Sequence, residues 1–266
     1  MYDYDMRIGP KEGQRKDFVG RNATERDAIA DNTLVVEGTV FPDDDMPIVL
    51  APSGLDTRLI KKGLHQLNFE KNRRPGSGIS QSSIYTNSTG RVPWRDDCCN
   101  ISKFSVDYPD HQKALNRIAQ HLSDSYKAYL PEEHKRHVTR VFNSKEKIPK
   151  EYRIAKTPFT SGIINKDSNL SYHVDKRNLK GTLSAMLVLT EGMRGGNLVL
   201  PEYKMSLELK DGDMVIFNGG NIVHGVTPMQ PYLAGAFRYT IVFYTLEGMH
   251  ECLGLDAERR RINKRI

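Results

Sequence analysis

The feature that most constrains the fold is a series of short apolar runs that begins near residue 152. The runs are rich in β-branched and aromatic residues, and turns such as Gly195-Gly196 and Asp211-Gly212 separate them. Many short strands joined by glycine turns are typical of a β-sandwich or barrel, and the jelly roll is one standard arrangement. The predicted strands are 159–165, 182–190, 197–200, 206–209, 214–217, 222–226 and 237–246.

The region before this series has a different pattern, because apolar residues recur there at helical spacing. One helix is predicted over 110–130, where Pro131 ends it, and a shorter one over 54–68. A strand is predicted over 33–40, and the basic stretch 258–265 is predicted to be helical. Helices therefore flank a strand-rich core.

These patterns divide the chain into four segments that we expect to form a single domain. The first is polar, has few apolar anchors and is predicted to be a loosely attached arm. The second is a helical and loop region that packs on the core, the third is the core, and the fourth is a basic tail. Their boundaries are 1–30, 31–150, 151–250 and 251–266.

Charge and cysteine content limit the partners and the compartment. A net charge of +6 modestly favours polyanionic partners. Cys98 and Cys99 are adjacent, and with Cys252 the count is odd, which predicts reduced thiols inside the cell, in the cytoplasm or nucleus. The start of the chain lacks the apolar region of a secretory signal, and no apolar run is long enough to span a membrane.

The candidate metal site starts from the tripeptide His173-Val174-Asp175. Positions i and i+2 of an extended strand point to the same face, so this imidazole and carboxylate can bind one ion. A second histidine, His224, follows several predicted strands later. Two histidines and one carboxylate are the ligands of non-haem Fe(II) oxygenases. The alternative is that these are hydrogen-bonded core residues, since a His-x-Asp tripeptide alone is a weak signal.

Arg238 lies in the middle of an apolar predicted strand, with Thr240 two positions further on the same face. Burying an arginine there is costly unless it meets an anion, and its planar guanidinium suits a carboxylate. A dicarboxylate co-substrate would satisfy both side chains. A structural ion pair is the alternative.

Together these residues resemble the Fe(II)/2-oxoglutarate-dependent dioxygenases. The stretch from His173 to Asn178 further resembles the His-x-Asp-x-x-Asn signature of the TET/JBP branch, whose members oxidise the methyl group of 5-methylcytosine or thymine in nucleic acid. Segments 195–201, 210–217 and 238–244 are similar to other parts of that branch. The likeness covers roughly residues 150 to 250, and it implies an α+β fold, with a double-stranded β-helix (jelly-roll) core and flanking helices.

The resemblance also implies a role for each matched residue. His173, Asp175 and His224 would bind Fe(II) as the catalytic centre, and Arg238 with Thr240 would bind 2-oxoglutarate, with O2 as the oxidant. Asn178 would contact the target base, and Tyr244 would stack on it. One position departs from the pattern: Leu246 stands where cytosine-oxidising animal members carry a base-reading histidine, and leucine forms no side-chain hydrogen bond. Cytosine specificity is therefore in doubt.

The implied function is hydroxylation of a pyrimidine methyl group in DNA, either 5-methylcytosine to 5-hydroxymethylcytosine or thymine to 5-hydroxymethyluracil. A base in duplex DNA would have to be flipped into the site. The alternatives are a hydroxylase of a protein side chain or small molecule, and a non-catalytic jelly-roll binding module. The compact size suggests a stand-alone phage or microbial enzyme, and the sequence does not predict an oligomeric state or which base is oxidised.

Overall fold

A computed structural model describes residues 6–7, 15–28, 32–34, 38–41, 47–69, 71–73, 80–90, 98–142 and 148–263. The described chain forms the following strands: β1 (Met6–Arg7), β2 (Asn32–Leu34), β3 (Gly38–Phe41), β4 (Ile48–Pro52), β5 (Lys71–Arg73), β6 (Ser80–Thr89), β7 (Asn100–Ile101), β8 (Ser161–Lys166), β9 (Leu170–His173), β10 (Ser184–Glu191), β11 (Met193–Gly195), β12 (Leu198–Leu200), β13 (Met205–Leu207), β14 (Asp213–Phe217), β15 (His224–Val226), β16 (Met229–Pro231) and β17 (Phe237–Tyr244).

Helices lie on both sides of these strands in the sequence. The α-helices are α1 (Arg15–Phe18), α2 (Thr57–His65), α3 (Lys103–Asp107), α4 (Pro109–Tyr129), α5 (Pro131–Phe142) and α6 (Leu255–Asn263). Short 3-10 helices occupy Glu25–Ala28, Lys150–Tyr152, Pro201–Tyr203 and Glu247–Glu251. Within the described ranges, no helix has both the length and the apolar character needed to cross a membrane.

The strands of the described residues form two main sheets and one two-stranded sheet. The larger sheet has ten strands in the order β1-β3-β4-β14-β10-β17-β8-β6-β5, with β7 paired to β6. The smaller sheet has the order β2-β13-β12-β15-β9, and β11 pairs with β16. Several neighbouring strands, such as β4 and β14 or β9 and β15, are far apart in sequence, so long connections cross between them, as in Greek-key and jelly-roll folds.

The chain divides into two compact units. The first comprises Met1–Ile84, Ile164–Lys176 and Met186–Ile241, and it contains the whole five-stranded sheet. Its core includes β14, whose residues Met214 to Phe217 are all buried and which pairs antiparallel with β4 through Asp213 to Ile216. A continuous apolar run is what a strand buried on both faces requires.

The second unit comprises Tyr85–Ile163, Arg177–Ala185 and Val242–Ile266. Helix α4 begins at Pro109 and buries the predicted apolar stripe, except that Tyr129 is only partly buried. Pro131 ends α4 as predicted, but it also begins α5, which the sequence analysis did not predict. Proline suits a first helical position because its fixed φ matches the helix and the missing N–H has no partner there anyway.

One predicted strand needs correction, one strand was missed, and the predicted loose attachment of the N-terminal arm is partly wrong. The strand predicted over 33–40 is two strands in different sheets, β2 and β3, and residues 35–37 lie outside the described residues. Strand β6 was not predicted, because its ten residues are mostly polar and lack apolar alternation. The start of the chain is also not loosely attached throughout, since Gly20 and Arg21 hydrogen-bond to β9 through their main chains. Main-chain bonds of this kind leave no apolar pattern in the sequence.

The prediction that the thiols are reduced is wrong for two of the three cysteines. Cys99 and Cys252 form a disulfide, although 153 positions separate them, and Cys98 remains free. Both bonded residues lie in an apolar cluster of the second unit together with Val141, Tyr152 and Met249. Packing of this cluster brings the two sulfur atoms together, and sequence spacing alone does not reveal it.

Candidate metal centre

The three predicted metal ligands come together in the five-stranded sheet. His173 is the last residue of β9 and pairs directly with His224, the first residue of β15. The β9–β15 register shifts immediately after this pair, and Asp175 lies two residues beyond the end of β9. The sequence thus folds locally so that both imidazoles and the carboxylate face one point.

The distances suit a single ion. His173 Nε2 lies 3.6 Å from Asp175 Oδ1, and His224 Nε2 lies 3.8 Å from Asp175 Oδ2. One ligand atom from each residue lies within 4.8 Å of the others. Two atoms bonded to one ion at about 2 Å each lie no more than about 4 Å apart, so the distances from both imidazoles to Asp175 allow shared coordination. His224 is buried, whereas His173 and Asp175 are partly exposed, so the ion would face an open side.

Main-chain carbonyls orient both imidazoles. The Nδ1 of His173 lies 2.8 Å from the Ser171 carbonyl oxygen, and the Nδ1 of His224 lies 2.9 Å from the Ile222 carbonyl oxygen. A carbonyl only accepts, so each Nδ1 carries the proton and each Nε2 keeps its lone pair toward Asp175. This is the tautomer that a metal ligand needs, held by hydrogen bonds outside the coordination sphere.

Asp175 is positioned by the turn that follows β14. Its main-chain N–H donates to the Gly219 carbonyl oxygen over 2.8 Å. A Cβ atom on Gly219 would lie 2.8 Å from Asp175 Oδ2 and 3.5 Å from His224 Cε1. Glycine therefore leaves the space that the ligand carboxylate occupies. This requirement was not predicted, although the pair Gly219-Gly220 was visible in the sequence as a turn.

Arg238 lies in β17 and is buried, with 5% of its surface exposed. Its Nη2 has no hydrogen-bond partner among the described residues. Burial lowers the pKa of its guanidinium to about 10, against an opposing effect of Asp167. A buried cation with an unused donor is costly unless an anion occupies the site. The side chain therefore fits a carboxylate from a bound small molecule.

Two neighbours complete the surroundings of Arg238. A Cβ atom on Gly196, where φ is +74°, would lie 2.8 Å from Arg238 Nε. Any larger residue at this position would therefore collide with the Arg238 side chain. Thr240 is buried, and its Oγ1 accepts a 3.1 Å hydrogen bond from Asn165 Nδ2. That bond does not use the proton of the Thr240 hydroxyl, which can be donated to a carboxylate. Sequence reasoning identified Arg238 and Thr240 but missed Asn165 and Gly196.

The residues predicted to contact a base lie in the second unit. Asn178 is buried, forms a backbone bridge with Leu246, and donates from Nδ2 to Ser184 Oγ over 3.1 Å. Tyr244 is partly buried against the cluster around the disulfide. Asn178 and Leu246 are therefore held side by side within this unit. The roles assigned to Asn178 and Tyr244 stay predictions.

The basic residues between Asp175 and Asn178 differ in their surroundings. Lys176 and Arg177 are both exposed. The Arg177 guanidinium donates to the Gly90 carbonyl oxygen over 3.3 Å, and its own carbonyl oxygen accepts from Glu247 N–H. Arg177 therefore has a structural role in the second unit, because its side chain and its main chain both form hydrogen bonds there.

Comparison with known proteins agrees with this arrangement. Residues 85–247 match Tet_JBP, described as the oxygenase domain of the 2OGFeDO superfamily. A jelly roll that carries a His-Asp-His site is the architecture of this class of oxygenase. Because the match covers more than half of the chain, the protein belongs to the Tet_JBP family. The resemblance and the fold class predicted from the sequence are both confirmed.

Related proteins are similar over limited parts of their own length. The bifunctional helicase and thymine dioxygenase JBP2 of Leishmania braziliensis is 26% identical over 149 residues, which is 56% of this chain and 13% of the relative. JBP2 of Trypanosoma brucei brucei is 28% identical over 195 residues, which is 72% of this chain and 17% of the relative. The chain thus spans less than a fifth of either relative.

Among solved structures, NgTET1 in complex with 5mC DNA has a similar fold. The TM-score is 0.60, the sequence identity is 12%, and the match covers 88% of this chain and 86% of that chain. At this identity the likeness establishes the fold alone.

Proposed function

We propose that the protein is an Fe(II)- and 2-oxoglutarate-dependent dioxygenase that hydroxylates the methyl group of a pyrimidine base in DNA. The observation that carries the proposal is the buried Arg238, whose unused Nη2 calls for an anion in the same unit as the His-Asp-His site. A metal site alone would fit many functions. A metal site together with a buried arginine whose Nη2 has no hydrogen-bond partner among the described residues fits a metal and a carboxylate co-substrate.

In this proposal, His173, Asp175 and His224 hold Fe(II), and Arg238 with Thr240 holds the distal carboxylate of 2-oxoglutarate. When bound, Fe(II), 2-oxoglutarate and O2 together supply the oxidising power for hydroxylation of a C–H bond, with succinate and CO2 as co-products. The main chain supplies orientation: the Ser171 and Ile222 carbonyl oxygens accept from Nδ1 of His173 and His224 and so direct Nε2 of each ring toward the proposed iron site.

The dry surroundings of Arg238 strengthen its interaction with the carboxylate, because few solvent dipoles compete there. Its lowered pKa remains near 10, so the side chain keeps its positive charge at neutral pH. The Thr240 hydroxyl is oriented by Asn165 and can donate a second hydrogen bond. These groups fix the co-substrate in one orientation before the substrate reacts.

The substrate assignment rests on the Tet_JBP family and on three similar proteins. Both JBP2 relatives are named bifunctional helicase and thymine dioxygenase, and NgTET1 was solved with 5mC DNA. Asn178 is proposed to contact the base, and Tyr244 to stack on it after flipping. The net charge of +6 favours the phosphate backbone. Leu246 offers no hydrogen bond, so thymine is the first base to test and 5-methylcytosine the second. A DNA substrate also implies action inside the cell.

The test uses duplex DNA that contains both thymine and 5-methylcytosine. The protein is incubated with Fe(II), 2-oxoglutarate and O2, and succinate and modified nucleosides are measured by mass spectrometry. Wild type and the control variant His111→Ala, which alters a histidine of helix α4, should form succinate and a 5-hydroxymethyl base. His173→Ala should form neither.

The outcomes separate the two parts of the proposal. Iron-dependent succinate without a hydroxymethyl base would mean that DNA is not the substrate, and would favour a protein or small-molecule substrate. Absence of succinate with wild type would mean that the protein is not a 2-oxoglutarate-dependent dioxygenase.

A further inference from the structure

Residues 15–28, named here the N-terminal strap, run along the edge of the five-stranded sheet. Strand β9, which ends in the ligand His173, is the last strand of that sheet. Gly20 N–H donates to the Tyr172 carbonyl oxygen, and Tyr172 N–H donates to the Arg21 carbonyl oxygen, each over 2.8 Å. The strap thus satisfies backbone groups that an edge strand otherwise leaves open.

A side chain of the strap is connected to the imidazole of His173 through one residue. The Ser171 hydroxyl donates to Asn22 Oδ1 over 2.8 Å. The carbonyl oxygen of the same Ser171 accepts from His173 Nδ1 over 2.8 Å. Asn22 therefore holds the residue whose carbonyl sets the tautomer and the angle of the ligand ring.

The strap also contacts the segment before His224. The guanidinium of Arg15 donates to the main-chain oxygen of Asn221, and it reaches Asn221 Oδ1 over 3.2 Å. Asn221 directly precedes Ile222, whose carbonyl oxygen orients His224. The strap therefore contacts both ligand segments: Asn22 bonds to the residue that orients His173, and Arg15 bonds to the segment that carries His224.

Apolar packing holds the strap between these two ends. Phe18 meets Tyr172 edge to face at 6.3 Å between ring centroids. Ala23 is buried in a cluster with Tyr172, Val174, Val199 and Val223. Val174 separates the ligands His173 and Asp175, and Val223 directly precedes His224. The packing thus lies directly behind the proposed iron site.

We propose that the N-terminal strap is a positioning element of the metal centre, in which Asn22 orients His173 through Ser171 and Arg15 steadies the segment that carries His224. This inference rests on the proposed iron site. It assigns no ligand to the strap: its residues act through Ser171 and Asn221. Partners outside the coordination sphere change metal affinity by about 10-fold to 100-fold when removed.

The test measures Co(II) binding to the full chain, by calorimetry and by the absorption bands of the bound ion, which report ligand geometry. Asn22→Ala removes the acceptor for the Ser171 hydroxyl. Asn22→Asp keeps an acceptor oxygen at the same place. Thr24→Ala is the matched control, because Thr24 lies in the strap but its side chain bonds only to Asp27 among the contacts described. Ser171→Ala removes the same hydrogen bond from the other side, should Asn22→Ala fold poorly.

The expected result is that Asn22→Ala and Ser171→Ala each weaken Co(II) binding about 10-fold and shift the absorption bands, and that combining them weakens binding no further. Asn22→Asp should bind within about threefold of wild type, a margin well inside the loss expected from removing the partner. Thr24→Ala should bind and absorb as wild type does.

Three results would overturn the inference: equal binding by Asn22→Ala, Ser171→Ala and wild type, equal weakening by Thr24→Ala, or no rescue by Asn22→Asp. In each of these cases wild type still binds the metal, so the proposed function stands. If wild type itself binds no Co(II) or Fe(II), the proposed iron site and this inference fall together.

Discussion

His224 in β15 and His137 in helix α5 are both buried histidines with one ring nitrogen hydrogen-bonded inside the protein. At the metal centre, His224 donates from Nδ1 to a carbonyl, and its free Nε2 faces the Asp175 carboxylate. In helix α5, His137 Nε2 lies 3.0 Å from Thr245 Oγ1, and its Nδ1 has no partner among the described residues. The two rings therefore differ in the surroundings of the second nitrogen: that of His224 faces the Asp175 carboxylate, and that of His137 has no hydrogen-bond partner among the described residues.

The tautomer of His137 follows from its neighbour. The Thr245 hydroxyl donates its single proton to the Pro158 carbonyl oxygen, so it accepts from His137 Nε2–H. The His137 ring lies among aromatic rings, with its centroid 6.0 Å from that of Phe159 and 6.1 Å from that of Tyr126. Burial lowers the pKa of His137 to about 3, and the nearby His134 and Arg140 lower it further because like charges repel the protonated ring.

The comparison separates a candidate metal ligand from a buried histidine elsewhere in the fold. Val141 of helix α5 packs in the apolar cluster that contains the Cys99–Cys252 disulfide. At the candidate metal centre, one ligand atom from each of His173, Asp175 and His224 lies within 4.8 Å of the others, and Arg238 Nη2 has no hydrogen-bond partner among the described residues. Burial alone does not distinguish the two histidines, whereas the direction of the second nitrogen does.

The largest expected effect tests the two histidines directly. His224→Ala should abolish Co(II) binding and lower product formation more than about 100-fold, since loss of a ligand exceeds loss of an outer partner. His137→Gln should leave metal binding unchanged and cost about 1–2 kcal/mol of unfolding free energy. Calorimetric metal titration and urea unfolding give both values. Equal metal binding by wild type and His224→Ala would break the comparison.

Arg238→Met tests the buried guanidinium that is proposed to bind the carboxylate of 2-oxoglutarate. Removing a charged partner of a buried carboxylate costs about 2–5 kcal/mol, so the KM for 2-oxoglutarate should rise by about 30-fold or more. Without 2-oxoglutarate, the variant should be at least as stable as wild type, because an uncompensated buried charge is gone. Arg136→Met, in an exposed ion pair of α5, is the control. A marked loss of stability without co-substrate would instead indicate a structural ion pair.

The Cys99–Cys252 disulfide, in the apolar cluster that also contains Val141 of helix α5, can be tested by substitution. Cys252→Ser should lower the unfolding free energy by about 2–4 kcal/mol under oxidising conditions, because the bond restricts the unfolded chain. Reductant should lower the stability of wild type by a similar amount and leave the variant unchanged. Cys98→Ser, which alters the neighbouring free thiol, should behave as wild type. Equal stability of Cys252→Ser and wild type without reductant would show that the bond does not form in solution.

The last prediction concerns the pH dependence of stability. The unfolded chain protonates His137 near pH 6.5, whereas the folded protein does so only near pH 3. Between these values only the unfolded state binds the proton, so stability falls as the pH is lowered, by up to about 1.4 kcal/mol per pH unit. Above pH 6.5 the ring is neutral in both states, and this contribution does not change with pH.

His137→Gln has no such proton to bind. Urea unfolding of wild type and variant from pH 7 to pH 4 should therefore give a shallower pH dependence for the variant. Parallel curves would mean that His137 titrates alike in both states.

Much of the fold was predictable because its signals are local. Strands β8, β10, β12, β13, β14, β15 and β17 were predicted within a few residues of their bounds, and so were α2 and α4. Strands β4 and β9 were missed because each is short. Strand β6 and the antiparallel pair of β11 and β16 were also missed, because polar residues form strands when a neighbouring strand supplies the hydrogen bonds. Helix α5 was missed because Pro131 was interpreted only as an end.

The sequence by itself determined the chemistry that the protein offers: His173, Asp175 and His224 as a possible ligand set, Arg238 with Thr240 as an anion site, and a strand-rich core. Short spacing and residue type encode these features. Only the tertiary structure decided that the strap packs behind the ligands, that Gly219 makes room for Asp175, and that Cys99 meets Cys252. These depend on contacts between residues far apart in the chain, where the outcome is set by packing and by main-chain hydrogen bonds that side-chain patterns do not record.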